Sequence, residues 1–202
     1  GQKGVAGLVI RSKTSVDAAL MEALPQLAFI MRPGSGLDNV DRAAAAQQGI
    51  HLITSPEGNR NAVAEHALGL LLSLLHNIPR ASAAVREGRW EREPNRGTEL
   101  RDLEVGIIGY GHTGRAFAHK LSGTGCRITA YDKYTPVPFA DAFVGTDTWE
   151  ALSARADVLS FHVPYTNETH HYFGQRLVQE RHKPLILITT QIGRAVQQEC
   201  RD

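Results

Sequence analysis

Leu103 to Asp132 reads LEVGIIGYGHTGRAFAHKLSGTGCRITAYD. An apolar run with Val105, Ile107 and Ile108 leads into Gly109-Tyr110-Gly111-His112-Thr113-Gly114. A helical pattern follows, and a second apolar run ends in Asp132. Strand, glycine turn, helix and strand in this order form the βαβ unit that binds a dinucleotide. Gly109 allows the tight turn, Gly111 lets the backbone approach a pyrophosphate, and Gly114 lets the helix pack on its strand. The helix start, at His112 and Thr113, offers N–H groups and the positive end of a dipole to the phosphates. Asp132 follows Gly114 by eighteen residues. At a strand end its carboxylate can accept both ribose hydroxyls, which favours NAD over NADP. A glycine turn with a purely structural role is the competing reading, and the flanking strand and helix weigh against it.

Further strand and helix signals alternate on both sides of this unit. Val5 to Ile10 reads as a buried strand, and Thr14, with Asp17 three residues on, reads as the cap of a helix stopped by Pro25. Leu27 to Met31 is a second strand, Leu37 to Gln48 an alanine-rich helix ended by Gly49, and Ile50 to Ile53 a third strand. Asn61 to Asn77 is apolar nearly all round, which predicts burial in a domain junction or a subunit interface. Arg86 to Gly97, with Trp90 and Pro94, reads as an irregular connection. Beyond Asp132, a strand is expected near Ala142 to Val144 and a helix from Thr148 to Arg155. A strand at Val158 to Val163, a helix from Gly174 to His182 and a strand at Leu185 to Thr190 complete the series. The alternation predicts an α/β fold with parallel sheets and crossover helices.

Composition sets outer bounds. The 202 residues suffice for one large domain or two small ones, and the net charge of +1 points to no nucleic-acid or acidic-membrane partner. Cys126 and Cys200 lack metal or redox spacing and read as reduced thiols of a cytoplasmic protein. The N-terminal residues have no signal-peptide pattern, and the apolar stretch around Leu70 to Leu75 is too short to span a bilayer.

Five motifs occur in a fixed order: RPGSGLDNVD (Arg32–Asp41), SPEGNRNAVAEHALGLLLSL (Ser55–Leu74), REGRWERE (Arg86–Glu93), GTELRDLEVGIIGYGHTG (Gly97–Gly114) and ADVLSFHVPYTNETHH (Ala156–His171). Together they resemble the D-isomer-specific 2-hydroxyacid dehydrogenases, in particular their D-3-phosphoglycerate dehydrogenase branch, from about Ala28 to Val196. The resemblance implies a Rossmann NAD-binding domain, a doubly wound parallel sheet, over residues 58–202. Residues 1–57 would be part of a flavodoxin-like substrate domain, and both ends would stop short of the family's full length. It also implies NAD as cofactor, a small 2-hydroxy or 2-keto acid as substrate, with 3-phosphoglycerate foremost, and hydride transfer at C2. A homodimer through the Asn61–Asn77 helix and the Trp90 segment would follow, with burial of that helix inside one chain as the alternative.

Gly34-Ser35-Gly36 offers backbone N–H groups for a substrate carboxylate, the use the family makes of its matching loop; the alternative is a plain turn with Asp38 as a helix cap. Arg32 and Arg60 are candidates for a substrate phosphate, against the default of solvated arginines. His162, in FHVP, titrates in the right range for acid–base work. The family's matching histidine instead lines the cofactor side, and a satisfied structural histidine is the third reading. Val163, Pro164, Thr169 and Thr190 are assigned to the cofactor side by the same resemblance. His170 and His171 read as a surface pair. Glu65 and His66 are neighbours on a helix, so they point about 100° apart and form no dyad.

The chain departs from the family at ITTQIGRAV (Ile188–Val196), where the family has an asparagine and a substrate-binding arginine. Thr189 and Ile192 stand at those positions. Isoleucine cannot bind a carboxylate or polarise a carbonyl. At strand periodicity Arg194 could point to the same side as Ile192, but its Cα would be displaced by about 6–7 Å. The family's Glu and His partners are not found. Three functions are therefore in play: an NAD-dependent dehydrogenase, a non-catalytic NAD-binding module of the same family, and an incomplete chain with unpaired sheet edges.

Overall fold

The computed structural model describes residues 4–34, 36–164, 168–169, 184 and 186–189. The chain forms two compact units, Gly1–Arg60 and Asn61–Asp202.

The first unit is a parallel sheet of β1 (Gly7–Val9), β2 (Phe29–Arg32) and β3 (His51–Thr54), in that order. Leu8, Ile30 and Leu52 stand in register across it. The crossovers are α1 (Ala18–Glu22) and α2 (Arg42–Gln47), and Val16, Met21, Ile30 and Ala45 fill the core. Both helices begin later than the sequence suggests. Asp17, not Thr14, caps α1, its carboxylate accepting the Leu20 N–H at 2.9 Å. Thr14 is instead held in a turn by its N–H to the Arg11 carbonyl. Asp41, not Asp38, caps α2, accepting from the N–H groups of Ala43 and Ala44. Leu37 to Val40 cannot be helical because Val40 forms a parallel bridge with Val16.

Helix α3 (Arg60–Leu75) begins at the boundary between the units, and α4 (Ile78–Arg86) follows it in the second. The expected helix to Asn77 ends early because Asn77 takes a left-handed conformation, φ 52°, and the chain restarts with Pro79 in the first turn of α4. Then come β4 (Glu104–Ile108), α5 (His112–Leu121), β5 (Arg127–Tyr131), β6 (Gly145–Thr146), α6 (Trp149–Arg155), β7 (Val158–Phe161) and β8 (Ile186–Thr189). The five strands are all parallel in the order β6-β5-β4-β7-β8. The third strand falls at Gly145–Thr146, not 142–144, because Val144 closes a turn back to the Asp141 carbonyl.

Every residue of β4 is buried, as expected for a parallel strand covered on both faces. Val105 and Ile107 pack towards α3 and α5, with Phe117 and Leu121. Ile108 packs with Leu152, Ala156 and Leu159 on the other face. On α3, Ala64, Ala67, Leu71 and Leu75 enter this core and Leu68 and Leu72 pack against it half-buried, while Leu70 and Leu74 stay exposed. Among the described residues no single helix is long and apolar enough to cross a membrane. The expected helix 174–182 lies outside the described residues, as do Ser35, His170, His171, Thr190, Ile192, Arg194 and Cys200.

Candidate nucleotide site

In the five-stranded sheet the chain winds outward from β4 in both directions, so the C-terminal ends of β4 and β7 mark the topological switch point. In open α/β sheets ligands bind at such a point. Most of the cofactor-side residues singled out above converge there.

The glycine loop shows three different reasons for glycine. Gly109 has φ +93°, and a Cβ on it would lie 2.8 Å from the His162 carbonyl oxygen. Its N–H donates to the Tyr131 carbonyl at 2.8 Å, tying the turn to the end of β5. Gly114 is buried in α5, and a Cβ there would lie 2.0 Å from the Gly109 carbonyl oxygen. Gly111 differs from both: a Cβ would meet nothing within 4 Å. It is the N-cap of α5 and has no side chain to satisfy the first turn. Among the described residues, the N–H groups of His112, Thr113 and Gly114 therefore have no side-chain cap at the positive end of the helix, beside the open space at Gly111.

Asp132 follows β5. Its Oδ2 accepts the Tyr110 N–H at 2.6 Å, and its Oδ1 accepts the N–H groups of Tyr134 and Thr135 at 2.8 Å each. Burial would raise its pKa, but these donors, with the Thr135 hydroxyl, outweigh burial and hold the carboxyl below its usual value. The carboxylate thus braces the glycine loop. Of its roughly four lone-pair positions three are taken by backbone N–H groups and the Thr135 hydroxyl adds a fourth donor, where the sequence suggests room for two ribose hydroxyls.

His162 directly follows β7. Its N–H donates to the Ile108 carbonyl at 2.7 Å. Its ring stacks obliquely on Phe117 of α5, centroids 5.3 Å apart, and Nε2 lies 2.8 Å from Ser160 Oγ. Nδ1 is buried with no partner among the described residues. Burial pushes the imidazole down to a pKa of about 4. What reaches the glycine loop from His162 is backbone; its ring is neutral at neutral pH and engaged beneath the loop. Val163 and Pro164 continue the same segment, and the Thr169 hydroxyl donates to the Pro164 carbonyl at 2.6 Å.

Two features of the site escape sequence reasoning. The Tyr110 hydroxyl donates to Asp141 at 2.7 Å, and Asp141 also meets Arg115 Nε and His119 Nε2 at 3.0 Å. Burial, then the bond to Asp141, pushes the Tyr110 phenol upward. This cluster pins the segment after β5 to α5. Farther out, Glu168 accepts from Lys133 at 3.0 Å and from the Tyr134 hydroxyl. No local pattern marks either cluster, because the partners of Asp141 and of Glu168 lie 22 to 35 residues away from them.

In the first unit, Gly34 has φ +135° and its carbonyl accepts the Ser55 N–H at 3.1 Å. Arg32 donates to the Gly36 carbonyl and reaches Ser12 Oγ at 3.4 Å, so its guanidinium spans the loop. Arg60 is the first residue of α3 and is exposed. Glu65 pairs with Lys120 at 2.8 Å, a surface contact. Among the described residues no group of three or more His, Cys, Asp or Glu is placed to hold a metal.

The model of the D-isomer specific 2-hydroxyacid dehydrogenase NAD binding domain matches residues 68–200. The chain is 40% identical over 163 residues to a D-3-phosphoglycerate dehydrogenase of Mycobacterium bovis, covering 80% of this chain and 31% of that one. It is 35% identical over 194 residues to a hydroxypyruvate reductase of Thermotoga maritima, covering 96% of this chain and 62% of that one. It superposes with a TM-score of 0.84 on D-lactate dehydrogenase from Aquifex aeolicus, solved with NAD and lactic acid, at 24% identity over 92% of this chain and 56% of that one. The last likeness speaks to fold alone. The chain spans between about a third and three fifths of the length of the two curated relatives.

Proposed function

Because the chain belongs to the D-isomer-specific 2-hydroxyacid dehydrogenase family through that family's NAD-binding domain, we propose that it binds NAD(H) at the glycine loop, with the pyrophosphate on the first turn of α5. The observation that carries this reading is the contrast among the three glycines. Gly109 and Gly114 are crowded by backbone, whereas Gly111 borders open space beside uncapped N–H groups. Asp132 would accept a ribose hydroxyl in place of the Thr135 hydroxyl. The segment Val163–Pro164, with Thr169, would form the other wall, and Thr190 remains a candidate cofactor contact by its sequence position. When bound, the nicotinamide supplies the hydride acceptor for a 2-hydroxy acid.

The substrate domain is assigned to residues 1–57 and the nucleotide domain to 58–202. Substrate contacts would come from Arg32, Ser35, Gly36 and Arg60. In Arg32 the role is first to shape the loop, since its guanidinium already holds the Gly36 carbonyl. For the substrate, 3-phosphoglycerate is supported by the names of several relatives at 33–40% identity; hydroxypyruvate is the alternative supported by another at 35%. The second reading, NAD(H) binding without turnover, is supported by Ile192, which stands where the family places its substrate-binding arginine. The exposed apolar side chains Leu70, Leu74, Ile78 and Trp90 support a homodimer through α3 and its surroundings.

The Gly111→Ala variant tests the nucleotide reading. The new methyl meets no protein atom, and Gly111 has φ −82°, which alanine accepts. Thermal stability should stay within about 0.5 kcal/mol of the parent, while NADH affinity falls at least about tenfold because the methyl occupies the pyrophosphate's place. Unchanged affinity in a folded variant would remove the pyrophosphate from this turn.

A further inference from the structure

Lys133 and Tyr134 follow the ribose-facing Asp132, and both reach one carboxylate oxygen of Glu168, in the turn beyond β7. The β5 and β7 ends flank the glycine loop at the end of β4, so this contact joins the two walls of the nucleotide groove. Asp132 and its neighbours are also where a dinucleotide's 2′-position would lie.

Asp132 alone is a weak barrier to a 2′-phosphate here. Three backbone N–H groups converge on its carboxylate and offset much of its charge. The adjacent ammonium of Lys133 is the kind of group that attracts a 2′-phosphate. It is held instead by Glu168, at 3.0 Å. The Tyr134 hydroxyl and the Lys133 ammonium keep the Glu168 carboxyl below its usual pKa, so it is ionised at neutral pH.

We propose that Glu168 is a specificity-determining residue: by neutralising Lys133 beside the ribose site, it makes the chain prefer NAD(H) over 2′-phosphorylated dinucleotides. This rests on the nucleotide site assigned above. Glu168 acts through Lys133 and touches no reacting atom. The Lys133–Glu168 pair is about half exposed, with side-chain exposures of 52% and 56%, so its effect is strongest at low salt.

The test measures dissociation constants for NADH and NADPH at low ionic strength in the 202-residue chain, in Glu168→Gln, and in Glu168→Gln/Lys133→Ala. Glu168→Gln keeps the shape and removes the charge. It should tighten NADPH binding about tenfold, with NADH changed less than about twofold. The double variant should lose the gain. An unchanged NADPH-to-NADH ratio in Glu168→Gln, with normal NADH binding, overturns the inference alone. A gain that survives removal of Lys133 overturns it as well. Failure of the parent chain to bind NADH would instead overturn the underlying nucleotide site, and the inference with it.

Discussion

His162 shows how a residue's surroundings decide its chemistry. A histidine at a strand end beside a glycine loop invites an acid–base role. Its ring, however, lies under the loop against Phe117 and Ser160, and burial takes its pKa from 6.5 to about 4. The folded chain therefore resists protonation that the unfolded chain accepts. Stability from this group is full above pH 6.5 and is lost as pH falls towards 4, by roughly 3 kcal/mol at the low end. His162→Gln should flatten the denaturation-derived stability profile between pH 6.5 and 4. A profile as steep as the parent's would mean that the ring is solvated. Asp132 carries the opposite residue-scale lesson. Its distance from Gly114 marks it as a candidate ribose ligand, but nothing local marks its bracing of the Tyr110 N–H. That bond joins residues 22 apart, and the fold, not the local pattern, selects it.

Among the elements, β4, α5 and β5 were the most legible, because an apolar run, a glycine turn and a helical period coincide there. The less legible ones were short or borrowed their ends from elsewhere. Nothing in IPRASAAVR marks α4 strongly except Pro79 near its start. The start of α2 depends on the bridge between Val16 and Val40, a contact between distant segments. Helix α3 raises a further matter. Its apolar character exceeds what the core uses: Ala64, Ala67, Leu71 and Leu75 are buried, while Leu70 is 41% and Leu74 56% exposed. The proposed homodimer would cover these side chains. Leu74→Glu would then place a charge in the buried contact, and sedimentation at micromolar concentration should show a shift from dimer to monomer. An unchanged sedimentation coefficient in the variant would place the interface elsewhere, and a monomeric parent would remove it.

At the scale of the whole molecule, the second unit forms a five-stranded sheet with the proposed nucleotide-binding elements at one end. The first unit is a smaller parallel sheet with its own core. The fold class was legible because hydrophobic runs alternate with helical patterns along the chain. The substrate was not, because the residues that would select it include Ser35 and Ile192, whose identities say what chemistry is available but not what molecule arrives. The proposed function requires nucleotide binding, and Trp149 offers a reporter of it. This indole sits at the start of α6, edge-on to Phe161 of β7 with centroids 6.1 Å apart. Titrating the 202-residue chain with NADH, while following tryptophan emission and energy transfer to the nicotinamide, measures binding without requiring turnover. The account predicts saturable quenching with sensitised nicotinamide emission, reversed by excess NAD. A folded chain whose tryptophan emission shows no saturable response to NADH would contradict it.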